Sequence, residues 1–298
     1  MADPMSDQLR NILARGRDLV RPAIPKRWRG LPTVPVVRLT GVIGFSTPLR
    51  PGLTLAGIAR ALDRAFAMKP NAVALAINSP GGSAVQSHLI FRRIRALADE
   101  KKLPVIAFVE DVAASGGYMI ACAADEIVCD EASIVGSIGV VAASFGLEKL
   151  IQKIGVERRI YTSGEHKVML DPFLPEKPED IERLKSIQKE IHEDFIALVK
   201  ARRGAKINSR ETALFTGEFW IGAKARELGL VDAIGDLRTT LRESYGEKVK
   251  MPLIAERSWL GRRSAGAMDL AQPFAYPGLA DEIVSTLEAR ALWARYGL

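Results

Sequence analysis

Two short, wholly apolar runs, each cut off by glycine, constrain this chain most. Ala72–Ile77 reads AVALAI and ends in Asn78-Ser79-Pro80-Gly81-Gly82-Ser83, and Val105–Val109 reads VIAFV and leads to Ala113-Ala114-Ser115-Gly116-Gly117. Neither run alternates with polar residues, so neither has a solvent face; that is the pattern of a strand buried on both sides of a parallel sheet. Parallel neighbours need a crossover between them. The stretch from about Ala84 to Ala98 supplies one, with helical apolar spacing and Arg92, Arg93 and Arg95 on its outer face. VVRL and VIGF flank Gly41 and predict two short strands around a turn or bulge. Thr54 is placed to cap a helix whose apolar face includes Leu55, Ile58, Leu62 and Phe66. Glu126–Cys129 (EIVC) reads as a further strand. This alternation predicts an α/β fold with mostly parallel sheets flanked by helices.

Later elements follow the same logic. Lys149 to Gly155 close a helix, and Ile160–Pro175 reads as a strand running into an irregular loop. Glu179 to about Arg203 is a long helix with Ile181, Leu184, Ile187, Ile191, Phe195 and Leu198 on one face. Leu279 to Arg295 predicts a closing amphipathic helix with Ile283, Leu287 and Ala291 together. Arg262-Arg263-Ser264-Ala265-Gly266 reads as a loop.

The chemistry gathers where the second run stops. Ser115 stands between a strand and the Ala-rich stretch YMIACAAD, a core helix by composition. Such a turn suits a nucleophile, because the start of a helix offers unpaired N–H groups and the small neighbours admit a substrate. On that stretch alone a helix cap is the simpler reading. The Gly81-Gly82 turn ends a parallel strand of the same kind, and sites in open α/β sheets form at the carboxyl ends of strands. The two turns should therefore meet, with the N–H groups of Gly82 and Gly116 cradling a carbonyl oxygen.

A serine nucleophile needs a base. The chain holds three histidines. His192 lies beside Glu193 and Asp194 and reads as a solvated helix residue; His88 follows the glycine turn without an evident carboxylate partner; His166 adjoins Lys167. Lysine is the other option, since a desolvated amine becomes a general base. Lys167 is followed by Val168, Met169 and Leu170, with Phe173 and Leu174 close by. The residues alone leave a Ser-His-Asp triad and a Ser–Lys pair both open.

Taken in order, N-SPGG at 78–82, D-x-A-A-S-G-G-Y at 111–118, A-A-D-x-I at 123–127, G-S-I-G-V at 136–140, G-x-x-K before D-P-F at 164–173, and TG-x-x-W-x-G-x-x-A…GLVD at 216–232 resemble the bacterial signal peptide peptidase A family. These are Ser–Lys serine peptidases of the Clp protease/crotonase superfold. The resemblance spans about residues 36–240. It implies Ser115 as nucleophile, Lys167 as general base, and Gly82 and Gly116 as oxyanion donors. It also implies that Ser137 orients the lysine amine. It further implies a peptide or unfolded-protein substrate, cleavage of short apolar peptides such as signal-peptide remnants, no cofactor or metal, and a homo-oligomeric ring. Two alternatives are kept: a non-catalytic peptide-binding scaffold, and a crotonase-type acyl-CoA thioester enzyme. The second lacks an acidic residue in either glycine turn.

The remaining expectations concern organisation. The chain divides into a basic arm and linker (1–35), a peptidase domain (36–250) and a C-terminal extension (251–298). Of the net charge of +7, residues 1–30 hold +4, so the body is near balance and no nucleic-acid face is expected. Leu9, Ile12, Leu13, Gly16 and Val20 alternate with arginines in that arm. It reads either as a solvated terminus or as a weak amphipathic contact to anionic lipid. Members of the resembled family usually begin with a membrane anchor, and long ones carry two copies of the domain. Here one copy and no apolar run of about 18 residues are seen, which predicts a cytoplasmic protein or one peripheral at the inner membrane. Cys122 and Cys129 read as buried free thiols.

Overall fold

Both apolar runs lie at the middle of the sheet. The computed structural model describes residues 30–44, 52–164, 166–207, 212–254 and 279–298. Among these, β1 (Val36–Thr40), β2 (Val73–Ser79) and β3 (Val105–Ala114) pair in parallel, with Leu75 opposite Val37 on one side and Ala107 on the other. β4 (Glu126–Cys129) pairs in parallel with the first half of β3, and β5 (Ile134–Gly136) with its last three residues. β6 (Phe219–Ile221) lies antiparallel to β5, and β7 (Ala233–Ile234) parallel to β4. β3 therefore serves two neighbours in turn, and its register against β2 shifts between Ile77 and Ser79. The α/β, mostly parallel architecture is the one the alternation predicts.

The helices are α1 (Leu55–Ala67), α2 (Ala84–Lys101), α3 (Gly116–Ala121), α4 (Glu148–Lys153), α5 (Pro178–Arg203), α6 (Gly222–Glu227), α7 (Leu237–Tyr245) and α8 (Leu279–Ala294). Thr54 caps α1 by accepting from the Gly57 N–H at 3.2 Å, and Ile58, Leu62 and Phe66 are buried beneath it. Ser83 caps α2, while Gln86 accepts from the Leu55 N–H at 3.0 Å and so staples the two helix starts together. The larger core lies on one face of the sheet, where α1, α2 and α3 cover Leu39, Leu75, Ile77, Ala107 and Ile127. The other face holds a smaller cluster around Ala74, Ile106, Phe108 and Val128, closed by Leu241 of α7. Fully burying each large aliphatic side chain contributes roughly 1.5–3 kcal/mol, so the α1–α3 side anchors the strand ends.

Several expectations are corrected. The second strand around Gly41 is absent among the described residues. Gly41 and Gly44 have φ of +104° and +88° and break the extended path, leaving Ile43 only in isolated bridges to Leu53 and Gly82. Residues 160–164 form no strand: no main-chain hydrogen bond joins them to the sheet among the described residues, and Tyr161 is 93% exposed. α5 buries Phe195, Val199 and Arg203, but Ile187 in its first half is exposed. In α8 the expected face is not the docking face: Leu287 and Ala291 are exposed, whereas Trp293 and Tyr296 at its end pack on Val112, Ala114 and Ile134. The basic arm, the Arg262–Gly266 loop and the Ile283 side chain lie outside the described residues.

The chain around Val36 meets the chain around Leu253. The Val36 N–H donates to Pro252 O at 2.9 Å, and the Ile254 N–H to Val36 O at 2.8 Å, so residues 252–254 run along β1.

Candidate active site

Ser115 joins β3 to α3 with φ 52° and ψ −120°. A residue carrying a Cβ occupies that region at a cost of about 1–3 kcal/mol, so its surroundings must hold it there. They do: the Ser115 N–H donates to Gly136 O at 2.8 Å, and its C=O accepts from the Met119 N–H at 3.0 Å. The hydroxyl makes no capping bond to α3. An N-cap needs extended backbone, which Ser115 does not have, so the helix-cap reading fails.

The glycine turn comes to Ser115 as expected. Gly81 has φ +101°, and a Cβ there would lie 2.9 Å from Ser115 Cβ; one on Gly82 (φ +140°) would overlap the Ile43 carbonyl. On the far side a Cβ on Gly116 would overlap Ser87 Oγ, which is buried and donates to Ser83 O at 2.7 Å. Only glycine lets these chains approach so closely. Neither the Gly82 N–H nor the Gly116 N–H has a hydrogen-bond partner among the described residues. Unpaired donors beside a half-buried hydroxyl form an arrangement able to stabilise an oxyanion.

Ser137 stands next to Ser115 by register. Ala114 pairs with Gly136, and each is followed by a serine in the left-handed region, Ser137 at φ 53°. Parallel strands lie about 4.8 Å apart, so the two serines are neighbours. The Ser137 N–H donates to Glu218 O at 2.6 Å, and the residue is 5% exposed.

Around this centre lie residues that motif reading did not single out. Asn78 Nδ2 donates to Asp111 Oδ2, tying the end of β2 to β3, and buried Ser79 donates to Gly41 O at 2.7 Å. Behind α3, Tyr118 Oη donates to Leu230 O at 2.8 Å, and Arg202 donates to the carbonyls of Cys122 and Ala124. Arg203, 3% exposed, holds Asp232 with two nitrogens. Burial raises the Asp232 carboxyl, but the hydrogen bond and charge of Arg203, helped by Lys206 and the Ile127 N–H, outweigh it and leave the carboxyl below its ordinary value. Burial pushes the Cys122 and Cys129 thiols up to about 12, so neither is a nucleophile at neutral pH.

Lys167 makes no hydrogen bond to Ser115 among the described residues. It lies in the turns at 166–170, is exposed, and has no side-chain hydrogen bond or ion pair among the described residues. The segment that carries it is tied mainly to itself: Arg158 binds Asp171 at 2.9 Å and covers Phe173, and the Leu147 N–H reaches Pro172 O. The apolar neighbours expected to desolvate the lysine do not cover it. Nor does any histidine supply a hydrogen bond to Ser115 among the described residues. His88 and His166 are exposed. His192 is not the solvated residue expected: it is half-buried, and its Nε2 meets Ile138 O at 3.1 Å. The signal was its helical spacing to Phe195 and Val199, which outweighs the charges beside it. Among the described residues no cluster of His, Cys, Asp or Glu is arranged to hold a metal ion. No helix among them is long and apolar enough to cross a membrane.

The sequence resembles those of known proteins over much of its length. A family model described as Peptidase family S49 matches residues 97–250. The chain is 55% identical over 290 residues to a protein of Brucella abortus named Na(+)/H(+) antiporter NhaA, covering 94% of this chain and 39% of that polypeptide. It is 37% identical over 186 residues to the chloroplastic serine protease SPPA of Arabidopsis thaliana, covering 62% of this chain and 27% of the other. The chain thus spans well under half of either relative. Among solved structures it matches a mutant of the 1510-N membrane-bound stomatin-specific protease in complex with a substrate peptide. That match has 16% identity and a TM-score of 0.47, and covers 87% of this chain and 99% of the other.

Proposed function

Because this chain belongs to peptidase family S49, we propose that it is a serine endopeptidase in which Ser115 is the nucleophile and Lys167 the general base. Ser115 Oγ attacks the peptide carbonyl while its proton passes to the neutral Lys167 amine. The negative charge on the former carbonyl oxygen is met by the N–H groups of Gly82 and Gly116. The ammonium then returns the proton to the leaving amine, giving an acyl-enzyme that water hydrolyses by the same route. Ser137 orients the amine. The observation that carries this reading is a half-buried serine in a left-handed turn beside two N–H donors without a partner among the described residues.

A lysine in water is a charged donor, and it accepts a proton only when desolvated. Lys167 is exposed in the single chain, so the mechanism needs a cover. Its own segment supplies the means: Val141, Phe145, Leu150, Ile154, Val156 and Tyr161 are all more than half exposed. Apolar surface of that kind marks an interface. A second copy of this chain is the proposed cover, and packing of copies as a homo-oligomer would complete the site. The proposed substrates are short apolar peptides, such as signal-peptide remnants. Peripheral membrane contact is assigned to the basic arm within residues 1–35.

The test is cleavage of a quenched apolar peptide by wild type, Ser115→Ala and Lys167→Ala, with folding followed by circular dichroism. Both variants should stay folded and lose turnover. If no peptide in a broad library is cut by wild type, a binding scaffold or a thioester enzyme replaces this reading. If Lys167→Ala stays active, the base is a histidine.

A further inference from the structure

We infer that His192 is a positioning residue for Ser137, and that it fixes where the Lys167-bearing segment leaves the core; its catalytic consequence rests on the Ser–Lys reading above. A carbonyl only accepts, so His192 Nε2 carries the hydrogen in the contact to Ile138 O at 3.1 Å. The contact therefore survives either charge state of the ring.

Its place in the fold is what gives it weight. On one side of this short piece, the Ser137 N–H is held by Glu218 O; on the other, the Ile138 carbonyl is held by His192. Ile138 itself is fully buried. Beyond it, no main-chain hydrogen bond among the described residues holds 139–146. His192 is thus the last tether before the chain runs out into the exposed segment.

The anchor beneath is rigid. His192 shares one face of α5 with Phe195, Val199 and Arg203, and those three are buried. Arg203 is bound to Gly229 O and Asp232. Ser137 sits in the left-handed region at φ 53°, which relaxes unless the surroundings hold the chain on either side of it; Glu218 O holds its own N–H, and His192 holds the carbonyl of the next residue. Without the tether the serine loses its fixed direction, and an amine it orients loses alignment with Ser115.

Two variants separate positioning from mere support. His192→Leu removes the donor at similar volume. His192→Gln places an amide N–H near the position of Nε2. Hydrogen exchange of a peptide spanning 134–140 is read first, because it does not depend on the dyad. Exchange at Ser137 should quicken roughly fivefold in His192→Leu, the effect of one lost hydrogen bond, and return towards wild type in His192→Gln. In peptide cleavage, kcat should fall roughly tenfold or more in His192→Leu with KM within about twofold, and His192→Gln should restore most of it. Combined with Ser137→Ala, the His192→Leu loss should largely vanish. Unchanged exchange in His192→Leu, no rescue by His192→Gln, or full additivity with Ser137→Ala overturns the inference. Failure of the dyad reading looks different: Lys167→Ala would turn over normally while the exchange result stood.

Discussion

Glu126 gives the sharpest physical expectation. It opens β4, is 9% exposed, and its Oε1 has no hydrogen-bond partner among the described residues. Burial first, then the nearby Asp232 charge, push its carboxyl from 4.5 up to about 7, with Lys206 opposing. A carboxyl whose value rises on folding holds its proton more tightly in the folded chain. Its contribution to stability is therefore fully present below 4.5 and is lost as pH rises through about 7. That interval corresponds to about 3 kcal/mol at full effect, an upper figure because solvent still reaches part of the group. Glu126→Gln removes the titration. In urea unfolding at pH 5 and pH 8, the variant should gain on wild type by ~1–3 kcal/mol between the two conditions. A stability difference that stays the same at both pH values, or moves the other way, would refute the reasoning.

Three further outcomes follow from the site and its supports. Arg203→Met leaves Asp232 buried without its main partner and should lower unfolding free energy by about 3–5 kcal/mol; a loss below about 1 kcal/mol in urea would contradict it. Gly116→Ala puts a methyl group into Ser87 Oγ and should cut kcat roughly tenfold or more, with Ser87→Ala restoring part of it; equal loss in single and double variants would place the effect elsewhere. Phe145→Glu charges the exposed apolar segment, so light scattering should find the variant near the chain mass of 32.5 kDa and wild type at a multiple of it. A wild type that is itself monomeric while active removes the second copy from the mechanism.

Much of this was readable in the residues because it depends on short-range rules. AVALAI and VIAFV have no polar face, so they had to be central strands, and they supply the apolar part of β2 and the first half of β3. Thr54 caps the helix it precedes. The meeting of Gly81 with Ser115 followed from both turns ending parallel strands. What could not be read depends on which surfaces find a partner. The apolar residues after Lys167 suggested a desolvated amine, yet apolar neighbours in sequence cover a side chain only if the chain folds back, and here it does not. Glu193 and Asp194 hid His192, although its spacing to Phe195 and Val199 puts it on the inward stripe. Leu287 and Ala291 form a credible helical face, but the contact is made by Trp293 and Tyr296, where a strand end offers Val112, Ala114 and Ile134.

The most direct test of the central claim is covalent labelling of the intact protein with a serine-directed fluorophosphonate, followed by mass spectrometry across a pH series. The account predicts one adduct, on the peptide containing Ser115. Its rate of formation should rise through a single ionisation that disappears in Lys167→Ala. An adduct on another residue, or a rate and pH profile indifferent to Lys167→Ala, would contradict it.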